Sequence, residues 1–240
     1  MNASTSFVKS LLAQCCLGGI CEWVVCPGAR NMALLQVLAA AEDLVQWTHF
    51  DERSAAFFAL GRIQDMGLPA AVVTTSGTAA AELLPAVVEA YYQRRPLLLL
   101  TADRPADYRG SAAPQAIEQA DMFGIYAPTI DLQTPDDLPE DILEDWDYAS
   151  PLHINVCLPD PDPTWNPGHC DLYPAEPPEE NKFRGSLSGL AQALRFKARH
   201  GLVLMLGGLD PTEQAPALWL ANELLSLIHI SEPTRPISIS

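Results

Sequence analysis

The sequence has few basic residues and no long apolar run. Its 240 residues include 14 Lys and Arg against 30 Asp and Glu, which gives a formal net charge of −16. Such a chain lacks the clustered cations of a nucleic-acid surface, so we predict no nucleic-acid partner. No stretch approaches the roughly eighteen apolar residues of a membrane-spanning helix. The start, MNASTSFVKS, lacks the basic and apolar parts of a secretory signal, so we expect a cytoplasmic protein with no membrane span.

Cysteine pairs of the CxxC type and zinc-ligand spacings are also missing. This pattern excludes a sequence-recognisable zinc site and favours buried, reduced thiols. No cluster of carboxylates and histidines has metal-ligand spacing either, so no metal-binding residue is predicted. The cysteines are Cys15, Cys16, Cys21, Cys26, Cys157 and Cys170.

Basic residues are absent from one long stretch. Residues 131–180 contain fourteen Asp or Glu and no Lys or Arg. A partner-binding surface is one interpretation, but the charge pattern favours a solvated, poorly ordered linker.

Short apolar runs alternate with longer amphipathic ones in the first 158 residues. Such runs, separated by helices, predict an α/β fold in which helices flank a parallel sheet. An acidic helix is also predicted over 136–148. The predicted strands lie at 22–26, 44–50, 70–75, 96–103 and 152–158.

The composition predicts four segments along the chain. Residues 1–158 form the first domain, and the Pro-rich stretch 159–182 is a linker. A second α/β domain starts at 183 and continues to 224. The tail 225–240 contains LSLIHISEPTR, which resembles the translation of a sequencing adapter, so we expect it not to be natural protein.

Four loops follow the carboxyl ends of the predicted strands, where open α/β sheets bind ligands. The loop HFDER carries Asp51 and Glu52 at the start of a helix. Helix capping by Asp51 and a favourable dipole interaction of Glu52 explain this pair structurally. Partial burial of Glu52 among Phe50, Phe57 and Phe58 would instead raise its pKa and suit it to proton exchange.

The other three loops carry arginines and a glycine turn. Arg30 and Arg104 suit a substrate with carboxylate groups, although either could be a surface ion-pair partner. The turn TSGT, 75–78, could bind an anion through backbone N–H groups or could simply start a helix. His49 is interpreted as structural.

The order of these loops resembles a known family. The segments CPGARN, THFDERSAAFFALG, VVTTSGTAAAELLPAVVEA, LLLLTADRP and PQAIEQADMF resemble the pyrimidine-binding domain of thiamine diphosphate enzymes. Within these enzymes the chain resembles the SEPHCHC synthase family of menaquinone biosynthesis, over residues 7–224.

The resemblance implies a transferase (carboligase) reaction that uses thiamine diphosphate and Mg2+. It decarboxylates 2-oxoglutarate and adds the succinyl unit to isochorismate. Glu52 is implied as the catalytic acid that binds the aminopyrimidine ring of the cofactor. The turn Thr75, Ser76, Gly77 and Thr78 is implied beside that ring, and the implied substrate-binding residues are Arg30, Arg104 and Gln115.

The sequence departs from the family at three places. Ala29 and Pro114 stand where Ser and Asn are common, and no GDG motif for the metal and diphosphate is present. We therefore expect an inactive N-terminal fragment of a protein that is a homodimer or homotetramer when complete. Two alternatives stay open: another thiamine diphosphate enzyme, such as an acetolactate synthase relative, or a non-catalytic flavodoxin-like binding module.

Overall fold

A computed structural model describes residues 3–175 and 214–219, and the chain divides into two compact units, 1–178 and 179–240. The second unit is described only by a helical segment at 214–219. The predicted second domain and tail otherwise lie outside the described residues.

Helices and strands alternate through the first unit. The α-helices are α1 (Ala3–Leu17), α2 (Met32–Ala39), α3 (Glu52–Met66), α4 (Thr78–Ala81) and α5 (Leu84–Tyr92). The strands are β1 (Glu22–Val25), β2 (Val45–Thr48), β3 (Ala70–Thr74), β4 (Leu97–Asp103), β5 (Thr129–Leu132) and β6 (Leu152–Cys157).

The six strands form one sheet in the order β2-β1-β3-β4-β6-β5, and every pairing is parallel. The register places Val25 opposite Thr48 on one side and Val73 on the other. All carboxyl ends therefore lie at one edge of the sheet. The predicted fold class, a parallel sheet flanked by helices, is confirmed for this unit.

Two hydrophobic clusters cover the two faces of the sheet. One joins β-strand side chains such as Trp23 to helices α1 and α2. The other packs α3 and α5 against residues such as Val72 and Leu99. Strands β1, β3, β4 and β6 are buried throughout, which explains why their sequences are mostly apolar.

One predicted element is wrong, and two elements are absent from the sequence prediction. Residues 136–148 do not form an α-helix: a short 3-10 turn at Pro135–Asp137 is followed by further turns. Aspartate side chains bind nearby backbone N–H groups there, Asp141 that of Leu143 and Asp147 that of Ala149, which competes with helix formation. Helix α1 and strand β5 are the elements not predicted.

The acid-rich stretch is built into the domain as far as residue 175. It contributes β5 and β6, and Leu172 is buried. In the predicted linker, the carbonyl of Pro167 accepts from Lys9 Nζ at 2.7 Å and that of Trp165 accepts from Gln36 Nε2 at 2.8 Å. The expectation of a poorly ordered stretch is therefore wrong for residues 131–175.

Candidate active site

The loop after β1 is held by one buried asparagine. Asn31 is fully buried; its Oδ1 accepts from the Gly28 N–H and its Nδ2 donates to the carbonyl of Cys26, both at 2.9 Å. These two bonds fix the turn that carries Arg30.

Gly28 brings this loop against the turn after β3. A Cβ added to Gly28 would lie 2.5 Å from Cβ of Thr75, closer than carbon atoms can approach. The loops that carry Arg30 and Thr75 are therefore in direct contact.

We expect Gly28→Ala to lower the free energy of unfolding by about 1–3 kcal/mol, because Thr75 must move to admit the methyl group. Urea unfolding measures this loss. Gly61→Ala is the matched control: its added Cβ meets no atom within 4 Å in helix α3, so a gain of about 0.5–1 kcal/mol is expected. A Gly28→Ala variant as stable as the Gly61→Ala variant would contradict the close contact.

Arg30 is buried and already has two partners. Its Nη1 donates to the carbonyl of Leu158 at 3.0 Å, and its Nη2 pairs with Asp160 at 2.9 Å. The Arg30 side chain is 7% exposed, whereas that of Asp160 is 85% exposed. The guanidinium is thus fixed from one side and paired with an easily displaced carboxylate on the other.

Arg30 also lines a cavity of about 270 Å³ together with Gln36, Asp160 and Trp165. The cavity lies between helix α2 and the segment that follows β6. Arg30 and Asp160 therefore both border this cavity.

Glu52 begins helix α3, and its neighbour caps that helix. The Asp51 carboxylate accepts from the Ser54 N–H at 2.7 Å, which confirms the predicted N-cap. Glu52 is half-buried, and no hydrogen bond of its carboxylate is found among the described residues. Capping therefore uses Asp51 and leaves Glu52 available.

The predicted aromatic enclosure of Glu52 is wrong within this chain. Phe50 is 99% exposed and Phe57 is 45% exposed, because both side chains point away from the core. Phe58 instead packs on Trp47 and His49. The structural interpretation of His49 agrees with this contact.

Cys26 lies close enough to both carboxylates to respond to their charge. Burial, followed by the charges of Glu52 and Asp51, raises the pKa of the Cys26 thiol to about 12. Cys26, which is buried directly after β1, is therefore a neutral thiol.

The turn 75–78 is tight, and its two central residues, Ser76 and Gly77, are buried. Ser76 is 2% exposed, and Gly77 adopts φ +82°, a conformation that a side chain rarely tolerates. A Cβ on Gly77 would also lie 3.1 Å from Cα of Gln115. The turn is thus in contact with the loop that carries Gln115.

Arg104 is held by that same loop. Its Nε and Nη2 both donate to the carbonyl of Pro114, at 2.9 and 2.5 Å, and its guanidinium lies 5.9 Å from the ring centre of Tyr108. Gln115 is exposed and has φ +54°. Because the bond to Arg104 uses a backbone carbonyl, Pro114 can make it as well as Asn could.

A buried polar network lies behind these loops, and the sequence motifs alone did not predict it. Gln119, Asn155 and Asp103 are almost fully buried and joined by hydrogen bonds. Arg109 pairs with Asp131 at 2.7 Å. The sequence does hold a sign of this network, because two otherwise apolar strands carry polar residues: Thr101 and Asp103 in β4, and His153 and Asn155 in β6.

Asp131 is charged in this network. Burial opposes its charge, but hydrogen bonds from Arg109, Asn155 and Gln133 outweigh burial and lower the pKa of Asp131 to about 2. The pair with Arg109 therefore persists through the neutral range.

Residues 3–175 and 214–219 contain no group of three His, Cys, Asp or Glu able to hold a metal ion. In the same part of the chain, no helix is long and apolar enough to cross a membrane.

Residues 6–122 match the family described as thiamine pyrophosphate enzyme, N-terminal TPP binding domain. Three similar proteins are each named 2-succinyl-5-enolpyruvyl-6-hydroxy-3-cyclohexene-1-carboxylate synthase. The one from Akkermansia muciniphila is 89% identical over 224 residues, which cover 93% of the chain and 42% of that protein.

The other two similar proteins are more distant. The synthase from Bdellovibrio bacteriovorus is 44% identical over 144 residues, 60% of the chain and 27% of that protein. The synthase from Chloroflexus aurantiacus is 48% identical over 137 residues, 57% of the chain and 23% of that protein. The chain thus spans less than half the length of the curated relatives it matches.

Proposed function

The chain is homologous to the N-terminal part of the SEPHCHC synthases, and from this premise we propose that the intact protein joins 2-oxoglutarate to isochorismate with thiamine diphosphate. The observation that carries the proposal is Glu52. Its half-buried carboxylate has no hydrogen-bond partner among the described residues, although it lies at the ligand-binding edge of the sheet.

The residues at this edge fit an aminopyrimidine ring. A carboxylate without a partner can share a proton with a ring nitrogen, and the bent turn around Gly77 follows β3 at the same edge of the sheet. When bound, thiamine diphosphate supplies the nucleophilic carbon and the electron sink for decarboxylation. In this proposal Glu52 holds the proton at its carboxylate oxygen, and residues 75–78 orient the ring.

Asp51 is not proposed to share a proton with the cofactor ring. Its carboxylate already accepts from the Ser54 N–H, so it holds the first turn of α3 and with it the direction of Glu52. The two adjacent acids thereby have separate roles, one structural and one chemical.

Arg30 and Arg104 are proposed to bind the carboxylates of isochorismate. Each guanidinium is held on one side by a backbone carbonyl, that of Leu158 or Pro114, which fixes its direction before substrate arrives. The exposed carboxylate of Asp160 now pairs with Arg30, and a substrate carboxylate would take its place. Gln115, beside Gly77, is proposed as a neutral polar contact.

Mg2+ and the diphosphate group are proposed to bind outside the described residues. The described part of the chain offers no metal cluster, and the sequence has no GDG motif. We further propose that the intact protein is a homo-oligomer, a dimer or tetramer, in which another part of the assembly completes the site.

The test is a reconstitution with the intact protein. Isochorismate consumption is followed with 2-oxoglutarate, thiamine diphosphate and Mg2+, each omitted in turn. Isochorismate consumption that requires all three supports the proposal. Decarboxylation of a different 2-oxo acid without isochorismate consumption would favour an acetolactate synthase relative. Absence of any thiamine diphosphate-dependent decarboxylation would favour a binding module.

Arg104→Ala is expected to raise KM for isochorismate by about 10- to 100-fold with a smaller change in kcat. The reason is that hydrogen bonds to a charged group contribute about 1.5–3 kcal/mol. Steady-state kinetics of the intact protein measure the effect.

Arg94→Ala is the matched control, because it removes the same charge from an exposed residue before β4, at the opposite edge of the sheet. Its KM should stay within twofold of the unmodified value. A normal KM in Arg104→Ala would remove Arg104 from the substrate site.

A further inference from the structure

One buried side chain, that of Gln119, anchors the turn 75–78. Gln119 is fully buried, and its Oε1 accepts a hydrogen bond from the Gly77 N–H at 2.7 Å. Gly77 is the residue with φ +82° that shapes the turn. Gln119 therefore fixes the peptide on which the turn's geometry depends.

The amide group of Gln119 continues the connection to the next strands. Its Nε2 donates to Asn155 Oδ1 at 2.9 Å and lies 3.3 Å from the carbonyl of Ala102. Asn155 Nδ2 in turn donates to Asp103 Oδ2 at 3.2 Å.

Asp103 is the last side chain in this series of bonds, and it contacts the loop that carries Arg104. Its Oδ1 accepts from the backbone N–H of Arg104 at 2.7 Å. We call the series from the Gly77 N–H through Gln119, Asn155 and Asp103 to the Arg104 N–H the Gln119 bridge.

Few side chains could replace Gln119. The bridge needs an acceptor and a donor on the two terminal atoms of a side chain of this length, and the uncharged amide of Gln offers both. A buried polar group whose partner is lost carries the full cost of desolvation. Removal of this amide would leave the Gly77 N–H without an acceptor, so the turn would have to rearrange.

We propose that Gln119 is a positioning residue that holds the cofactor turn 75–78 and the Arg104 loop in one geometry. The role rests on the proposed function, because it assigns the turn to thiamine diphosphate and Arg104 to the substrate. Gln119 itself touches neither, since it is fully buried behind both loops.

The first experiment tests the bridge without ligand. In the intact protein, Gln119→Met is expected to speed amide hydrogen exchange in a peptide containing residues 75–78 by about tenfold. Gln119→Glu keeps an acceptor for the Gly77 N–H and is expected to retain more of the protection. Unchanged exchange in Gln119→Met would overturn the bridge.

The second experiment tests the positioning role. Gln119→Met is expected to raise both Kd for thiamine diphosphate and KM for isochorismate by about tenfold. Thr129→Val is the matched control: it removes a hydroxyl at the far end of the network, which bonds His153 Nδ1 at 2.9 Å and does not contact the turn. Both constants should stay within twofold in that control.

Each outcome decides a separate point. Faster exchange with unchanged constants would overturn the positioning role and leave the bridge intact. Absence of thiamine diphosphate binding by the unmodified protein would overturn the proposed function, and the positioning role with it, whatever the exchange result. If Gln119→Met does not fold, Gln119→Asn, one methylene too short to span both partners, is expected to give the same increases, and normal values would again overturn the role.

Discussion

Glu52→Gln in the intact protein is expected to lower kcat by about 10²- to 10⁴-fold, the range that a positioned acid–base group contributes. The amide has the shape of the carboxylate but cannot share a proton with a ring nitrogen. Because the amide still forms hydrogen bonds, Kd for thiamine diphosphate should change by only a few-fold. Turnover and cofactor binding are measured separately, by isochorismate consumption and by fluorescence titration.

Asp51→Asn is the natural control, since it makes the same chemical change one residue away. Asn caps helices about as well as Asp, so the bond to the Ser54 N–H should persist with little change in stability or kcat. A Glu52→Gln variant as active as the Asp51→Asn variant would exclude Glu52 from the chemistry. Equal losses in both would indicate that the helix start, and not the Glu52 carboxylate, is what matters.

The central strands and the loops after them could be predicted because of how parallel sheets bury their strands. Strand β4 is buried along its whole length, so its sequence LLLLTAD is almost continuously apolar up to the polar residues at its end. The same logic places Arg30, Glu52 and Arg104 at one edge. Asp51 as helix cap was predictable from local chemistry alone.

Long-range contacts explain what could not be predicted. Gln119 lies outside the helices and strands, and its neighbours in sequence do not show that its amide reaches Gly77, 42 positions earlier. Phe50 and Phe57 are neighbours of Glu52 in sequence, but the strand and helix direct them away from it. Residues 136–148 have helical composition, yet local aspartate bonds and the burial of Trp146 favour turns.

His153 sits inside the network as a neutral ring, and its hydrogen bonds define the tautomer. Thr101 Oγ1 donates to Asn155 Oδ1, so it accepts from His153 Nε2–H at 2.8 Å. His153 Nδ1 then accepts from the Thr129 hydroxyl at 2.9 Å. Burial lowers the pKa of His153 from 6.5 to about 3, against the opposing charge of Asp131.

This neutral histidine should make the domain less stable as the pH falls. In the unfolded chain His153 binds a proton near pH 6.5, whereas the folded protein does not accept it until about pH 3. The free energy of unfolding is therefore highest above about pH 6.5 and falls progressively below it, because the unfolded chain binds a proton that the folded chain does not. The loss is about 1.4 kcal/mol per pH unit, or about 2 kcal/mol between pH 6.5 and 5.

His153→Gln should remove this slope, because Gln can donate to Thr101 and accept from Thr129 without titrating. The variant is expected to be less stable than the unmodified protein at pH 8 and to lose less stability between pH 6.5 and 5. Urea unfolding at several pH values measures both, above the range near pH 2–4 in which Asp131 titrates. His169→Gln is the control, because His169 is exposed and paired with Asp171, and it should keep the original slope. An equal slope in the unmodified protein and both variants would show that His153 accepts its proton in the folded state.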